Sequence, residues 1–436
     1  MEEELKADIK GISDGTKKYW KALGPGLVTG ASDDDPSGIA TYSQAGAKYG
    51  PGLLWLSSFT LPFMALIQEM CARIAIVTGR GLASNIRRYY PKRVLYIATI
   101  FLFAANTLNI GADLGAMAKG VQLLAPNINF IFLILLFGLG GIALEVLVSY
   151  RVYSKYLKWL VLVLFSYVIS LFFVKFSWSD IAFHTFIPHI AFTKESIYLV
   201  TAILGTTISP YLFFWQTSQE VEEEILDGRA TIAQRQHTEP EKLKSEIKNM
   251  RVDVWSGMFF SNFVMFAIIA VCAGTLFASG ITNINTAQDA ALALRPLAGN
   301  AAFILFALGI IGTGLLAIPV LAGSVSYAVA ELFKWHEGLY RKWKSAHSFY
   351  GIMILAVVVG LLLNFLHIDP IKALIYSAIG NGLIAPVIMI CIVQMSGNRK
   401  LMGAHASKKS TLLFGWLITG VMALAGIATL ASFFVG

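Results

Sequence analysis

Eleven apolar segments divide this chain, near residues 20–47, 51–78, 94–123, 128–149, 154–176, 196–218, 251–278, 299–333, 346–366, 371–395 and 411–435. Each approaches or exceeds the roughly 20 residues that a helix needs to cross a bilayer. A backbone in lipid must satisfy its hydrogen bonds internally, which limits a chain of this pattern to a bundle of spanning helices or a closed barrel. The ten-residue alternation of a barrel is absent, so the expected fold class is an all-α polytopic membrane protein. Composition agrees: 14% of residues are charged, against about 25% in a soluble domain.

Lys and Arg are distributed unevenly between the segments. The N-terminal stretch through Lys21 and the connections near 79–93, 150–158, 219–251, 334–344 and 396–410 carry 27 basic residues, whereas the alternate connections and adjoining helix ends carry 6. Basic loops stay on the cytoplasmic side. The expected topology in the cell's inner (plasma) membrane therefore has the N-terminus inside and, with an odd number of spans, the C-terminus outside. The net charge of +8 reads as attraction to the anionic lipid surface, and no nucleic-acid partner is expected. The N-terminal sequence "MEEELKADIKGISDGTKKYW" is charged and lacks the apolar core of a cleaved leader, so the first span is expected to be retained. Cys71, Cys272 and Cys391 lie scattered in apolar segments and read as core residues. His184, His189, His237, His336, His347, His367 and His405 show no zinc-type spacing, and no cofactor is expected.

Within the first segment stands "ASDDDPSGIA", residues 31–40. An Asp at the centre of a membrane helix costs about 3 kcal/mol on insertion scales, so three in succession cannot face lipid. Pro36 lacks an amide donor and disfavours a helical conformation at Asp35, and Gly38 loosens the backbone beyond. The expectation is a half-helix over 20–32, an unwound stretch over 33–37 and a second half-helix over 38–48. A second interruption is expected in "GTTISPYLFFWQTSQ", 205–219, where Pro210 follows Thr206, Thr207 and Ser209, whose hydroxyls can re-satisfy freed backbone groups.

The breaks fall in the first and sixth segments. That is the arrangement of two five-helix repeats of inverted topology, here 20–176 and 196–395, with a substrate site between the broken helices at mid-membrane. The remaining parts are a cytoplasmic tail at 1–19, a mixed-charge cytoplasmic connection at 219–250 extending the sixth helix into the seventh, and an eleventh helix at 411–435. The outer stretch 279–300 is expected to be a loop with a short surface helix. Carboxylates, hydroxyls and freed carbonyls form a hard ligand set suited to Mg²⁺, Mn²⁺ or Ca²⁺.

These motifs resemble those of the Nramp (natural resistance-associated macrophage protein) metal-ion transporters. "GPGLVTGASDDDPSGIATYSQAGAKYG" (24–50) is similar to their first helix, with its Asp-Pro-Gly-Asn signature, and "GTTISPYLFFWQ" (205–216) to their sixth, with its Met-Pro-His. The resemblance implies a leucine-transporter-like fold of about 11 transmembrane helices. The chain departs from the family at its signatures: the asparagine ligand falls on Gly38, the methionine on Ser209 and the histidine on Tyr211. In "NIGADLGAMAKG" (109–120) Asp113 is kept, but Ala116 stands where proton-transporting members carry a glutamate. Losing the thioether weakens discrimination against Mg²⁺, a pattern similar to the divergent Nramp-related magnesium transporters of prokaryotes. Without the histidine and the glutamate, proton coupling is not expected.

The expected ion ligands are Asp35, aided by Asp34, the carbonyl at Gly38, and Thr206 and Ser209. Asp33, Asp113, Tyr211 and Asn381 are expected along the pathway or vestibule, Asp113 having packing as its alternative role. Glu69 and Arg73, at i and i+4, are expected to neutralise each other, and Ser324 and Ser326 to bond between helices. The expected function is alternating-access transport of a divalent cation, Mg²⁺ and/or Mn²⁺. Two other classes fit an acid-lined break: a cation-coupled symporter of an amino acid or other organic substrate, disfavoured by the acid cluster, and a channel-like cation pathway. No enzyme motif is present. Beyond the ion and the lipid bilayer, the sequence names no partner and leaves the oligomeric state open.

Overall fold

A computed structural model describes residues 24–148, 162–175, 177–189, 193–226, 228, 240–366 and 369–434. The tail at 1–19, the start of the fifth segment, most of 227–239, His237 and His367 lie outside the described residues. Among the described residues the secondary structure is helical. We label the main helices α1 (Pro25–Asp33), α2 (Pro36–Tyr49), α3 (Trp55–Thr78), α4 (Leu82–Tyr89), α5 (Lys92–Leu124), α6 (Phe130–Leu147), α7 (Lys194–Thr207), α8 (Pro210–Leu226), α9 (Pro240–Thr275), α10 (Ala302–Phe333), α11 (His347–Leu363), α12 (Pro370–Gly397) and α13 (Lys409–Phe434).

Nine helical stretches among the described residues are long and apolar enough to cross a membrane. The first span adds another, because α1 and α2 are each too short alone but abut at the acid run. Burial tells inner helices from lipid-facing ones. The stretch Lys194–Leu226 has 83% of its apolar window buried inside the protein, against 28% for α6 and α13. The broken helices are therefore central and the peripheral spans meet lipid. The two interruptions sit in the first and sixth segments, as their prolines led one to expect.

The first break is narrower than the sequence suggested. α1 continues to Asp33 and α2 restarts at Pro36, leaving Asp34 and Asp35 as the non-helical residues. Proline suits the first position of a helix, where its missing N–H is no loss. Asp35, in extended conformation (φ −68°, ψ 172°), caps the new helix by accepting from the Gly38 amide, so nothing keeps residues 36 and 37 unwound.

Both broken helices are fastened by backbone-to-backbone seams. A methyl group on Gly257 of α9 would lie 2.1 Å from the Gly26 carbonyl oxygen of α1, and one on Gly205 of α7 would lie 2.0 Å from the Ala378 carbonyl oxygen of α12. Only glycine permits such an approach, and membrane helices depend on it for van der Waals packing. The N-terminal amides of α1 would otherwise be unsatisfied. Gly24, Gly26 and Leu27 donate to the Asp253 carboxylate of α9 at 2.8, 2.6 and 3.1 Å.

The outer stretch behaves as expected: its short helix, Ala287–Ala291, is held by a capping box between Thr286 and Asp289. α8 reaches Leu226 and α9 begins at Pro240, so the charged connection does extend both helices.

Candidate ion-binding site at the helix breaks

The Asp35 carboxylate is held from three sides. Oδ1 accepts from the Ser37 hydroxyl at 2.6 Å and the Gly38 amide at 2.8 Å, and Oδ2 accepts from Asn109 Nδ2 of α5 at 2.8 Å. Asn109 is braced in turn, its Oδ1 accepting from the Ser377 hydroxyl of α12 at 2.6 Å. Across the break, Ser37 Oγ lies 3.1 Å from Thr206 Oγ1 of α7. Gly38 faces the same space: a methyl group there would sit 3.2 Å from the Tyr42 ring, 3.4 Å from the Asp33 carbonyl oxygen and 3.5 Å from Thr206 Oγ1. Asp35, Gly38 and Thr206 are thus brought together.

The other two carboxylates turn elsewhere. Ser261 of α9 donates to Asp33 Oδ2 at 2.6 Å and lies 3.4 Å from Asp34 Oδ1. The acid run therefore serves two sides of the break, Asp35 toward α5 and α12, Asp33 and Asp34 toward α9. Ser209 Oγ lies 2.6 and 2.7 Å from the carbonyls of Gly205 and Thr206, so its single proton is shared between groups left without a helical partner at the break. Tyr211 donates to the Ser32 carbonyl at 3.0 Å and so ties α8 to the last turn of α1. Asp113 lies in electrostatic range of Asp35 and Tyr211, with both carboxylate oxygens buried and without a hydrogen-bond partner. Asn381 is likewise buried without a partner for either side-chain atom. Asp33, Asp34, Asp35, Asn109, Asp113, Thr206, Ser209, Tyr211 and Asn381 are each at most 2% exposed, which closes the site to both membrane faces.

Contacts on either side maintain this closure. Toward the end that carries the basic loops, Thr29 of α1 donates to Gln216 of α8 at 2.5 Å, and Gln216 donates to Glu220 at 2.9 Å. Glu69 there pairs with Arg73, as expected, and also with Arg251 and the Trp255 ring N–H. At the opposite end Gln44 of α2 holds the loop after α9, donating to the Thr282 carbonyl at 3.2 Å and accepting from the Ile284 amide at 2.8 Å. Ser324 bonds to Asn106 between helices, whereas Ser326 bonds back within α10.

A cavity of about 200 Å³ opens at the basic-loop end, lined by Glu222, Tyr327, Glu331, His336, Glu337 and Arg341 among others. Glu337 lies in the connection after α10; burial, with Glu331 and Glu222 beside it, pushes its carboxyl well up. Among the described residues no three His, Cys, Asp or Glu side chains form a metal cluster.

Several of these residues carried no sequence signal strong enough to single them out. Asn109 and Ser377 are lone polar residues in apolar spans, of a kind that usually serves packing. Asn109 had one clue, its place four residues before Asp113 and hence on the same face of α5. Asp253, Ser261 and Gln216 looked like ordinary ends and faces of long helices.

Two half-helices meeting another interrupted helix inside the bundle, around a buried carboxylate, are the arrangement of the leucine-transporter-like fold of membrane transporters. The sequence profile of the natural resistance-associated macrophage protein-like family, Nramp, matches residues 26–432, and the chain belongs to that family. Among solved structures it is similar to a manganese transporter of Eremococcus coleocola bound to an aromatic bis-isothiourea compound, with a TM-score of 0.76 and 17% identity over 96% of this chain and 88% of that one. A histidine-to-alanine mutant of that transporter gives a TM-score of 0.73 at 17% identity over 94% and 87%. Mhp1, a nucleobase-cation-symport-1 family transporter, shares the fold more distantly, with a TM-score of 0.56 and 14% identity over 94% and 91%.

Proposed function

We propose that this protein moves a divalent cation, Mg²⁺ and/or Mn²⁺, across the membrane by alternating access and without a coupled proton. The observation that carries the reading is the Asp35 carboxylate, buried at a helix break and surrounded by hydroxyl, amide and carbonyl groups. Membership of a metal-transporter family and the fold shared with a manganese transporter support the substrate class. The hydroxyl and amide groups bonded to Asp35, with Thr206 and the open Gly38 position beside them, favour a hard ion that retains water. Asp35 would bind the ion directly, Thr206 and the Gly38 carbonyl would line its path, and Asp113 would supply a second negative charge within electrostatic range. Asp34 and Ser209 remain candidates for ligation through rearrangement, Asp34 from the Ser261 side and Ser209 through its lone pairs.

In the closed arrangement, opening toward the basic-loop end requires breaking the Thr29–Gln216 and Tyr211–Ser32 contacts. Opening at the other end requires releasing the loop that Gln44 holds. With the basic loops cytoplasmic, these two sets form the inner and outer gates, and binding at the break would couple them. Uptake of Mg²⁺, Mn²⁺ and Ca²⁺ into proteoliposomes carrying an internal pH dye tests the reading. Saturable uptake without acidification is expected, and Asp35→Ala should abolish it. Metal-driven acidification would overturn the uncoupled mechanism, and unchanged uptake by Asp35→Ala would overturn the site.

A further inference from the structure

Resting on that reading of Asp35, we infer that Asn109, braced by Ser377, is a positioning residue that holds Oδ2, the oxygen of Asp35 that the α2 cap leaves for the ion, and thereby sets how much water the ion keeps. A carboxylate oxygen has about two lone-pair sites. Asp35 Oδ1 already accepts from Ser37 Oγ and the Gly38 amide, and its capacity is filled by the structure that starts α2. Oδ2 accepts from Asn109 Nδ2, which occupies one of its acceptor positions and leaves room on that oxygen for an ion. Two-oxygen ligation by Asp35 would require α2 to lose its cap.

The amide orientation is fixed by the Asp35 carboxylate, which can only accept and so takes Nδ2, leaving Oδ1 to face Ser377. The single hydroxyl proton of Ser377 lies between Asn109 Oδ1 at 2.6 Å and the Leu374 carbonyl of α12 at 2.7 Å. The chain Ser377–Asn109–Asp35 joins α12, α5 and the first break, with all three side chains at most 1% exposed. It gives the site a rigid neutral donor on the side opposite Thr206 and leaves the ion's remaining positions to water and neutral oxygens. A hexahydrated or partly hydrated Mg²⁺, which dehydrates reluctantly, is the cargo this geometry favours.

The experiment compares Asn109→Ala, Ser377→Ala, the double variant and Ser377→Thr with the parent protein in proteoliposomes, after each is shown to be monodisperse with a normal melting transition. Removal of a partner that orients a metal-binding carboxylate typically costs ten- to a hundredfold in affinity, so Asn109→Ala should raise KM for Mg²⁺ by about tenfold or more, with kcat held within about twofold. It should also lower the ratio of Mg²⁺ to Mn²⁺ uptake, because Oδ2, no longer held by the amide, can approach the ion closely and displace water that Mg²⁺ gives up reluctantly. Ser377→Ala should move KM the same way by less, the double variant should be no worse than Asn109→Ala, and Ser377→Thr should restore the parent value. An unchanged KM and metal ratio in Asn109→Ala, or additive effects in the double variant, would overturn the inference. If Asp35→Ala also transports normally, the site itself is wrong; if Asp35→Ala is dead while Asn109→Ala is normal, the positioning role alone fails.

Discussion

At the level of single residues, the most informative position has no side chain. Gly38 stands where a methyl group would press on the Tyr42 ring at 3.2 Å and approach Thr206 at 3.5 Å, so the space beside Asp35 is narrow but open. An ion that arrives with water occupies more room than one stripped to direct ligands, and Mg²⁺ holds its water most firmly. Gly38→Ala is therefore expected to depress Mg²⁺ uptake several-fold more than Mn²⁺ uptake, read as the ratio of initial rates in the same liposomes. Equal losses for both ions would show that the position acts only on folding. That Asp35 stands at a helix break was legible in the sequence, because a carboxylate before a proline inside an apolar span has few structural uses. The division of labour within the acid run was not. Adjacent side chains point in different directions, and which of them meets Ser261 and which meets Asn109 depends on how α5 and α9 pack.

Helices and their junctions carry the next set of consequences. The prolines announced both interruptions, yet the sequence placed the first one too broadly. It treated Pro36 as a breaker over five residues, whereas Asp35 and Pro36 together are a cap and a first turn. The α1 anchor shows what an apolar pattern hides: Asp253 lies more than two hundred residues from the amides it binds. It is nonetheless the main polar attachment of α1 to α9. Loss of a capping carboxylate costs about 0.5–2 kcal/mol, and here three amides lose their acceptor together. Asp253→Ala is expected to lower the melting temperature and to loosen α1 selectively. A cysteine introduced at Leu27 should become reactive to a soluble maleimide from the basic-loop side in that background and stay protected with Asp253 intact. Equal protection in both backgrounds would mean that the Gly26–Gly257 seam alone holds the half-helix.

For the whole molecule, the apolar pattern was enough to give the bundle, its helix order and its two breaks, because lipid leaves a chain few alternatives. It could not show that the structure is closed at both ends, since Gln44, Thr29 and Gln216 find their partners only once distant helices meet. Nor could it show the acid-lined cavity at the basic-loop end, where Glu222 on α8, Glu331 on α10 and Glu337 after α10 converge with Arg87 and Arg341. Burial and the two neighbouring carboxylates raise Glu337 well above its ordinary value, with the two arginines opposing. A carboxyl whose folded pKa is raised binds its proton more tightly in the folded than in the unfolded chain. Its contribution to stability is complete below the unfolded value and is lost as pH climbs through the folded one. Melting temperature in detergent should therefore fall as pH is raised from about 5 to about 9, and Glu337→Gln, which keeps a neutral side chain at every pH, should flatten that slope. A slope as steep in Glu337→Gln as in the parent would assign the loss to other groups in the cavity. Transport at fixed metal concentration should follow the same order, because the Glu222–Tyr327 contact and the Glu222 bond to the Leu339 amide tie α8 to the loop carrying Glu337. Ionised together, Glu222, Glu331 and Glu337 would repel one another, and the expected result is a weaker hold of that loop on α8, the half-helix that begins at the second break.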